Sequence, residues 1–338
     1  MTGDTRADHD QAGPAPDAGA DRPAPGTPPH VTYFFDTAFA PCTLVSLLSV
    51  LRQTPGPIRV TLHPTEDPGT MARDLEIYGA AFPQADLRLE PVDLAPFRHL
   101  KRGRLPLAAR SRLLLPEIHR GRVIYLDGDV IARRDLNALW QTDLQGRAIG
   151  ACLAPGVQVM LAKARTSRAA SARKAADKTL ARGRKLDGID MHGYFNSGVM
   201  LLDLDRIRAR GLAEPMRDIK ATARYTSRDQ DWLNMVFRDD RLILPPEWNS
   251  GWGDPKTGKS YVPAELRERF KVSREDPAII HFTGFEKPWQ AASAPWRWHL
   301  LHQPLQRRLR ARYWDEYQMM KRAAEALLGR SLHTEAAT

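Results

Sequence analysis

From Val31 onward, short apolar runs rich in β-branched and aromatic residues alternate with stretches in helical spacing, and this rhythm constrains the fold most. Residues 31–36 read as a buried strand, 41–53 as a helix through Leu44, Leu47, Leu48 and Leu51, and 58–63 as a strand. Residues 70–82 read as a helix, 87–92 as a strand, 107–119 as a helix and 122–126 as a strongly apolar strand. Strands separated by helices of this length build βαβ units, so the expected class is α/β, a Rossmann-like, mixed but mainly parallel sheet flanked by helices. Ligands on such sheets sit beyond the carboxyl ends of the strands. Function is therefore sought in the residues just beyond each strand.

The ends of the chain have a different character. One third of residues 1–30 are Pro or Gly, and none is branched aliphatic or aromatic. Such a segment buries too little apolar area to offset its ordering entropy, so a disordered tail is expected. Residues 31–290 are expected to form one catalytic unit, and 291–338 a basic helical region. Within the latter, Leu305, Leu309, Tyr313, Tyr317, Met320 and Leu327 share one helical face, and Arg307, Arg308, Arg310 and Arg312 crowd the first turns. That face suits either an anionic membrane surface or packing on the catalytic unit. Residues 161–187 hold nine Lys/Arg against two acids, with eight Ala, and read as an inserted, exposed, mobile helix or lid.

Composition excludes more than it selects. With 338 residues, 42% hydrophobic and 27% charged, the bulk is globular. Lys+Arg 50 against Asp+Glu 40 leaves +10, which permits nucleic acid, anionic lipid or phosphorylated partners alike. Two cysteines, Cys42 and Cys152, rule out a disulfide scaffold and any cysteine-based zinc cluster, and a reducing compartment is the simpler setting. The longest helical apolar stretch, residues 43–51, is broken by serines and far short of the ~20 residues a span needs. No apolar signal region opens the chain. A cytoplasmic protein is expected, with a peripheral place on the inner face of the cell membrane left open.

Four segments carry candidate chemistry. The strand at 122–126 ends in Asp127-Gly128-Asp129. Residues two apart on extended chain point to one side, and paired carboxylates repel unless a cation or protons neutralise them. Oxygen ligands suit Mg or Mn; the alternative is a turn with helix-capping aspartates. A second apolar strand ends in His281-Phe282-Thr283-Gly284-Phe285-Glu286-Lys287-Pro288-Trp289. His281 would complete a metal site and tilt it toward Mn, Gly284 would let backbone approach a phosphate, and Lys287 would supply charge. Here the alternatives are a satisfied core histidine and a solvated lysine. Between these lie Tyr194-Phe195-Asn196-Ser197-Gly198 and Arg228-Asp229-Gln230-Asp231-Trp232. Asn196 suits a sugar hydroxyl or a turn, and the acids suit a helix N-terminus. Trp248 and Asn249, in a turn-rich stretch, say little alone.

Together and in order, the strand ending in Asp36, Ser111-Arg112-Leu113, Leu126 through Asp129, Tyr194 through Gly198, Asp229-Gln230-Asp231 and His281 through Trp289 resemble glycosyltransferase family 8. These are retaining, metal-dependent nucleotide-sugar transferases of GT-A fold, and the chain looks like bacterial members that extend lipopolysaccharide with galactose or glucose. The resemblance implies Mn2+ (or Mg2+) on Asp127, Asp129 and His281, and a UDP-sugar donor. It places Asp36 at the uracil or ribose, and Phe39 where the family has a stacking Tyr. Arg112 falls near the donor sugar and phosphates, Gly128 within the metal motif, and Gly284 and Lys287 at the diphosphate. Asn196, Asp229 and Gln230 would surround the transferred sugar, with Gln230 or Asp231 nearest the reacting carbon. One departure is Thr37-Ala38-Phe39, where the family shows an Asn-Tyr pair after the strand.

Other readings are a sugar nucleotidyltransferase, a basic nucleic-acid-binding protein and a catalytically dead family member. The first lacks a Gly-rich, basic loop after the opening strand; the second lacks any helix-turn-helix, zinc or RNP pattern. The intact Asp127, Asp129, His281 and Lys287 argue against the third.

Overall fold

A computed structural model describes residues 22–95, 107–166, 170–185, 189–222, 228–284, 286–290 and 304–333. Seven strands form the main sheet: β1 (His30–Phe35), β2 (Ile58–Pro64), β3 (Ala85–Leu89), β4 (Arg122–Leu126), β6 (Ile149–Leu153), β7 (Phe195–Asp203) and β8 (Arg241–Leu244), in the order β3-β2-β1-β4-β7-β6-β8. A smaller sheet orders β5 (Val130–Ala132), β10 (Ile279–His281) and β9 (Ser250–Gly251) as β5-β10-β9. In the main sheet β3, β2, β1 and β4 run parallel, as do β6 and β8. β7 is antiparallel to both β4 and β6, so the sheet is mixed and mostly parallel, flanked by helices.

This topology decides what meets at the site. Because β7 opposes β4, the chain leaving β4 lies beside the chain entering β7: Leu126 pairs with Val199, and the Asp127 amide donates to the Gly198 carbonyl at 2.8 Å. Because β10 opposes β5, His281 pairs with Val130, which seats the imidazole next to Asp129. β9 runs parallel to β10 with Gly251 opposite His281, which carries Asn249 to the same place.

Several boundaries shift from the sequence expectation. Trp140 donates to the Thr27 carbonyl and β1 opens at His30, so ordered chain starts ahead of Val31; residues 1–21 lie outside the described set. β3 comes two residues early, because its register with β2 runs from Ala85 to Leu89. The helix expected over 107–119 is three pieces: Leu107–Ser111, a 3-10 turn Arg112–Leu114, and Leu115–Ile118. Pro116 removes the amide that a continuous helix needs there.

One expectation is corrected, and one choice left open is decided. Residues 161–187 are not a lone exposed helix: Pro155–Thr166 and Ala170–Lys185 pack on each other, with Leu161, Ala162, Ala176 and Thr179 buried. Small alanines allow that close approach, and most cations turn outward. The apolar face of the helix Pro304–Leu328 is not offered to a membrane. Leu309, Tyr313, Tyr317, Ala324 and Leu328 are buried in the main core against the helices Ala40–Gln53 and Met71–Ala81. At about 1.5–3 kcal/mol per large buried apolar side chain, that docking outweighs any surface role for the same face. Among the described residues no helix is long and apolar enough to cross a membrane.

A histidine cluster under the sheet gives the fold a pH dependence. His63 Nδ1 donates to the Glu90 carbonyl at 2.7 Å, and its Nε2 lies 2.8 Å from His119 Nε2. The His30 ring meets His119 edge-on at 4.7 Å. Burial pushes His119 down to about 3 and His30 down to about 4, and lowers His63 as well. The unfolded chain binds protons on these rings below about 6.5, whereas the folded chain resists until the lower values. Their contribution is therefore complete above about pH 6.5 and is lost as pH falls toward 3. Each tenfold loss of proton affinity on folding corresponds to about 1.4 kcal/mol. Thermal unfolding should show a steep fall in Tm between pH 7 and pH 4 that His119→Gln flattens. A wild-type profile level over that range contradicts the burial argument.

Candidate active site

At the end of β4, Gly128 lets the chain turn tightly against the start of the helix Ala40–Gln53. A side chain there would overlap Thr43 Oγ1. Asp127 and Asp129 flank it, and His281 closes the group. His281 Nε2 stands 3.2 Å from Asp129 Oδ1 and 3.7 Å from Asp127 Oδ2. One ligand atom from each of the three lies within 4.8 Å of the others, the only such group among the described residues. Gly198 forms the floor: a Cβ there would overlap His281 Cε1 and lie 2.7 Å from Asp127 Oδ2. Two carboxylate oxygens and one imidazole nitrogen around a space that a methyl would fill suit a divalent cation of the Mg or Mn type.

Cationic side chains brace the carboxylates. Buried Arg112 pairs with Asp127 Oδ1 at 2.9 Å and with Asp229 at 3.3 Å, donates to the Ser197 carbonyl at 2.7 Å and to the Ala109 carbonyl at 2.6 Å, and lies over the Tyr125 ring. Tyr125 donates to Asp127 Oδ1 at 2.5 Å. Lys287 Nζ donates to Asp129 Oδ2 at 2.5 Å and to the Phe282 carbonyl at 2.7 Å. Burial works against ionising Asp129, but Lys287 and His281 overcome it and hold the carboxyl well below its usual range. Burial raises Asp229 in spite of Arg112 beside it. It also disfavours charge on Arg112, yet Asp127, Tyr125 and Asp229 keep the guanidinium firmly protonated.

A chain of amides leads away from the imidazole. Asn249 Oδ1 lies 2.9 Å from His281 Nδ1, and Asn249 Nδ2 donates to Asn196 Oδ1 at 2.8 Å. Asn196 Nδ2 donates to Gln230 Oε1 at 3.1 Å, and Gln230 Nε2 to the Tyr194 hydroxyl at 3.2 Å. Tyr194 in turn donates to Asp231 at 2.5 Å, and Arg182 also grips Asp231.

The expected site residues therefore fall into distinct places. Asp127, Gly128, Asp129, His281, Arg112 and Lys287 come together. On the helix Arg228–Val236, Gln230 is half-buried, whereas Asp229 and Asp231 are buried and satisfied by Arg112 and by Tyr194 with Arg182. Asp231, placed by the sequence reading among the candidates nearest the reacting carbon, is fully buried. Asp36 accepts from the Phe39 amide at 2.9 Å in the turn that precedes the helix, while Phe39 meets Trp289 edge-on at 5.9 Å. Gly284 adopts φ +89 with open space around its α-carbon, the freedom a close backbone approach needs. Sequence reasoning named Asn249 and Tyr194 without giving them a role, and passed over Tyr125 and Arg182. Only Tyr194 had a signal, its place in the motif leading to Gly198.

The sequence profile of glycosyl transferase family 8 matches residues 30–293. The chain belongs to this family. General stress protein A of Bacillus subtilis (strain 168) is 25% identical over 234 residues, 62% of this chain and 70% of that protein. Lipopolysaccharide 1,2-glucosyltransferase of Escherichia coli (strain K12) is 30% identical over 172 residues, 50% of this chain but only 44% of the enzyme's length. Among solved structures, the galactosyltransferase LgtC, in complex with donor and acceptor sugar analogues, matches with TM-score 0.62 at 21% identity, over 85% of this chain and 94% of LgtC. The apo bifunctional glycosyltransferase WbbM matches with TM-score 0.65 at 22% identity, over 82% of this chain and 49% of WbbM. The fold of this family 8 glycosyltransferase is thus the GT-A fold of LgtC. The sugar nucleotidyltransferase reading is set aside by family membership.

Proposed function

We propose that this glycosyltransferase moves a hexose, galactose or glucose, from a UDP-sugar to a glycan acceptor such as lipopolysaccharide core or another cell-surface glycan, with retention at the anomeric carbon. The observation that carries the reading is the convergence of Asp127, Asp129 and His281 beside Lys287 and Arg112. The name of the E. coli relative and the sugar analogues bound to LgtC support the substrate class. Mn2+ or Mg2+ held by Asp127, Asp129 and His281 supplies positive charge to the departing diphosphate, an effect worth several kcal/mol.

The chain's own groups do the rest. An ammonium has three donors, and Lys287 spends two on Asp129 and the Phe282 carbonyl; the third is left for a phosphate oxygen. Gly284 gives the diphosphate room, and Asp36 and Phe39 are assigned to the nucleoside end. Asn196, Gln230 and, behind them, Asp229 surround the transferred sugar, where buried negative charge favours an oxocarbenium-like sugar. Asp231 is committed to Tyr194 and Arg182, which leaves no free carboxylate nucleophile on the helix. Retention is therefore assigned to same-face attack, the acceptor hydroxyl passing its proton to the leaving phosphate oxygen.

Incubation with Mn2+ and a panel of UDP- and GDP-sugars, with release of free nucleotide as the readout, tests this. Hydrolysis of UDP-galactose or UDP-glucose that stops on chelation is the expected result. No turnover or binding with any UDP-sugar overturns the donor assignment, and a trapped glycosyl adduct on Asp231 overturns same-face attack.

A further inference from the structure

We infer that Asn249 is a positioning residue that locks His281 as the Nδ1–H tautomer and ties the imidazole, through Asn196, to the Gln230 amide. The inference rests on the reading that His281 is a cation ligand. Its force comes from two backbone amides whose polarity is fixed. Gly198 N–H donates to Asn196 Oδ1 at 3.0 Å, so that atom is an oxygen, an acceptor. The Asn249 group facing the same atom at 2.8 Å must then be its NH2, because two oxygens in that contact would have no proton between them. Asn249 consequently presents its carbonyl to His281 Nδ1 at 2.9 Å, and a carbonyl only accepts. Nδ1 therefore carries a proton, and Nε2 faces the carboxylates of Asp129 and Asp127, which hold a proton on it until a bound cation takes its lone pair.

The second fixed amide locks the far end. Ser197 N–H donates to Gln230 Oε1 at 3.3 Å, the atom that also accepts from Asn196 Nδ2. Reversing any one side chain in this row sets donor against donor or acceptor against acceptor. The opposite tautomer would aim an N–H into the space between the carboxylates, where a cation needs a lone pair. Asn249 and His281 are both buried, so bulk water does not substitute freely for either contact. Ligand-orienting partners of this kind typically change metal affinity by about 10–100-fold.

Two variants and two readouts test the assignment. In protein labelled with 15N-histidine and saturated with diamagnetic Mg2+, long-range 1H–15N correlation, with His281→Gln to assign the signal, should report Nδ1–H and no Nε2–H for His281. Asn249→Ala removes the acceptor and should weaken Mn2+ binding by about 10–100-fold by calorimetry. Asn249→Asp keeps an acceptor for Nδ1–H but faces Asn196 Oδ1 with a second acceptor. It should retain the tautomer and Mn2+ affinity within about threefold of wild type while kcat falls. An Nε2–H signal in the Mg2+-saturated wild type, wild-type Mn2+ affinity in Asn249→Ala, or equal loss of affinity in both variants would overturn the proposal. A wild type that binds neither Mn2+ nor Mg2+ counts against the cation reading instead, and in that case an Nδ1 without a proton in the metal-free protein still overturns the Asn249 contact.

Discussion

Replacing Gly198 by alanine is expected to abolish divalent-metal binding and to lower metal-dependent transfer by about 10^3-fold or more. The new methyl would overlap His281 Cε1 and sit 2.7 Å from Asp127 Oδ2, inside the space the three ligands enclose. Backbone conformation works the other way. Gly198 lies within β7 with no positive φ, where alanine normally gains about 0.5–1 kcal/mol over glycine. Stability and activity should therefore separate. The variant should keep its circular dichroism and melt only modestly lower, because the buried imidazole must shift at about 1–3 kcal/mol, yet show no Mn2+ heat by calorimetry. Wild-type Mn2+ affinity in Gly198→Ala would place the cation elsewhere.

Asp129→Asn should be equally inactive, and for a different reason should also unfold more easily. The substitution withdraws a ligand oxygen's charge and leaves the Lys287 ammonium without its anionic partner. Breaking one side of a buried pair strands the other charge, at a cost of up to about 3–5 kcal/mol when fully enclosed. The Lys287 side chain keeps 16% exposure, so the lower end of that range applies. Adding Lys287→Gln to Asp129→Asn should then recover most of the lost Tm without any recovery of activity. Asp127→Asn should abolish metal-dependent turnover too. Arg112 stays paired with Asp229 in that variant, so less stability is lost. Full activity in either single variant removes the metal role, and a double variant no more stable than Asp129→Asn alone removes the stranded-charge account.

The strands were the most legible part of the molecule, because a buried strand shows as an apolar run, as β1 and β4 do, or as an apolar alternation, as β2 does. The pair Asp127 and Asp129 was legible because an abrupt change from such a run to two carboxylates has few bland explanations. His281 reads from sequence only as a strand-terminal histidine; the antiparallel pairing of β5 with β10 is what sets it beside Asp129. The roles of Asn249 and Arg182 were invisible for the same reason. Their roles come from which strand end and which helix pack together, and no local pattern around either residue encodes that. The misreading of 161–187 followed from composition: an Ala- and Arg-rich helix looks solvated unless its small residues are seen to pack and one arginine is seen to reach Asp231. The same limit applied to the C-terminal helix, whose apolar face was visible but whose partner was not.

The central claim is one cation gripped by the neighbouring carboxylates of Asp127 and Asp129 and the distant imidazole of His281. Crystals grown with Mn2+ and UDP, measured at the manganese absorption edge, examine that claim directly. The expected result is a single anomalous peak about 2.2 Å from a carboxylate oxygen of Asp127, one of Asp129, and His281 Nε2. A peak that excludes His281, or no peak at this site with UDP bound, contradicts it.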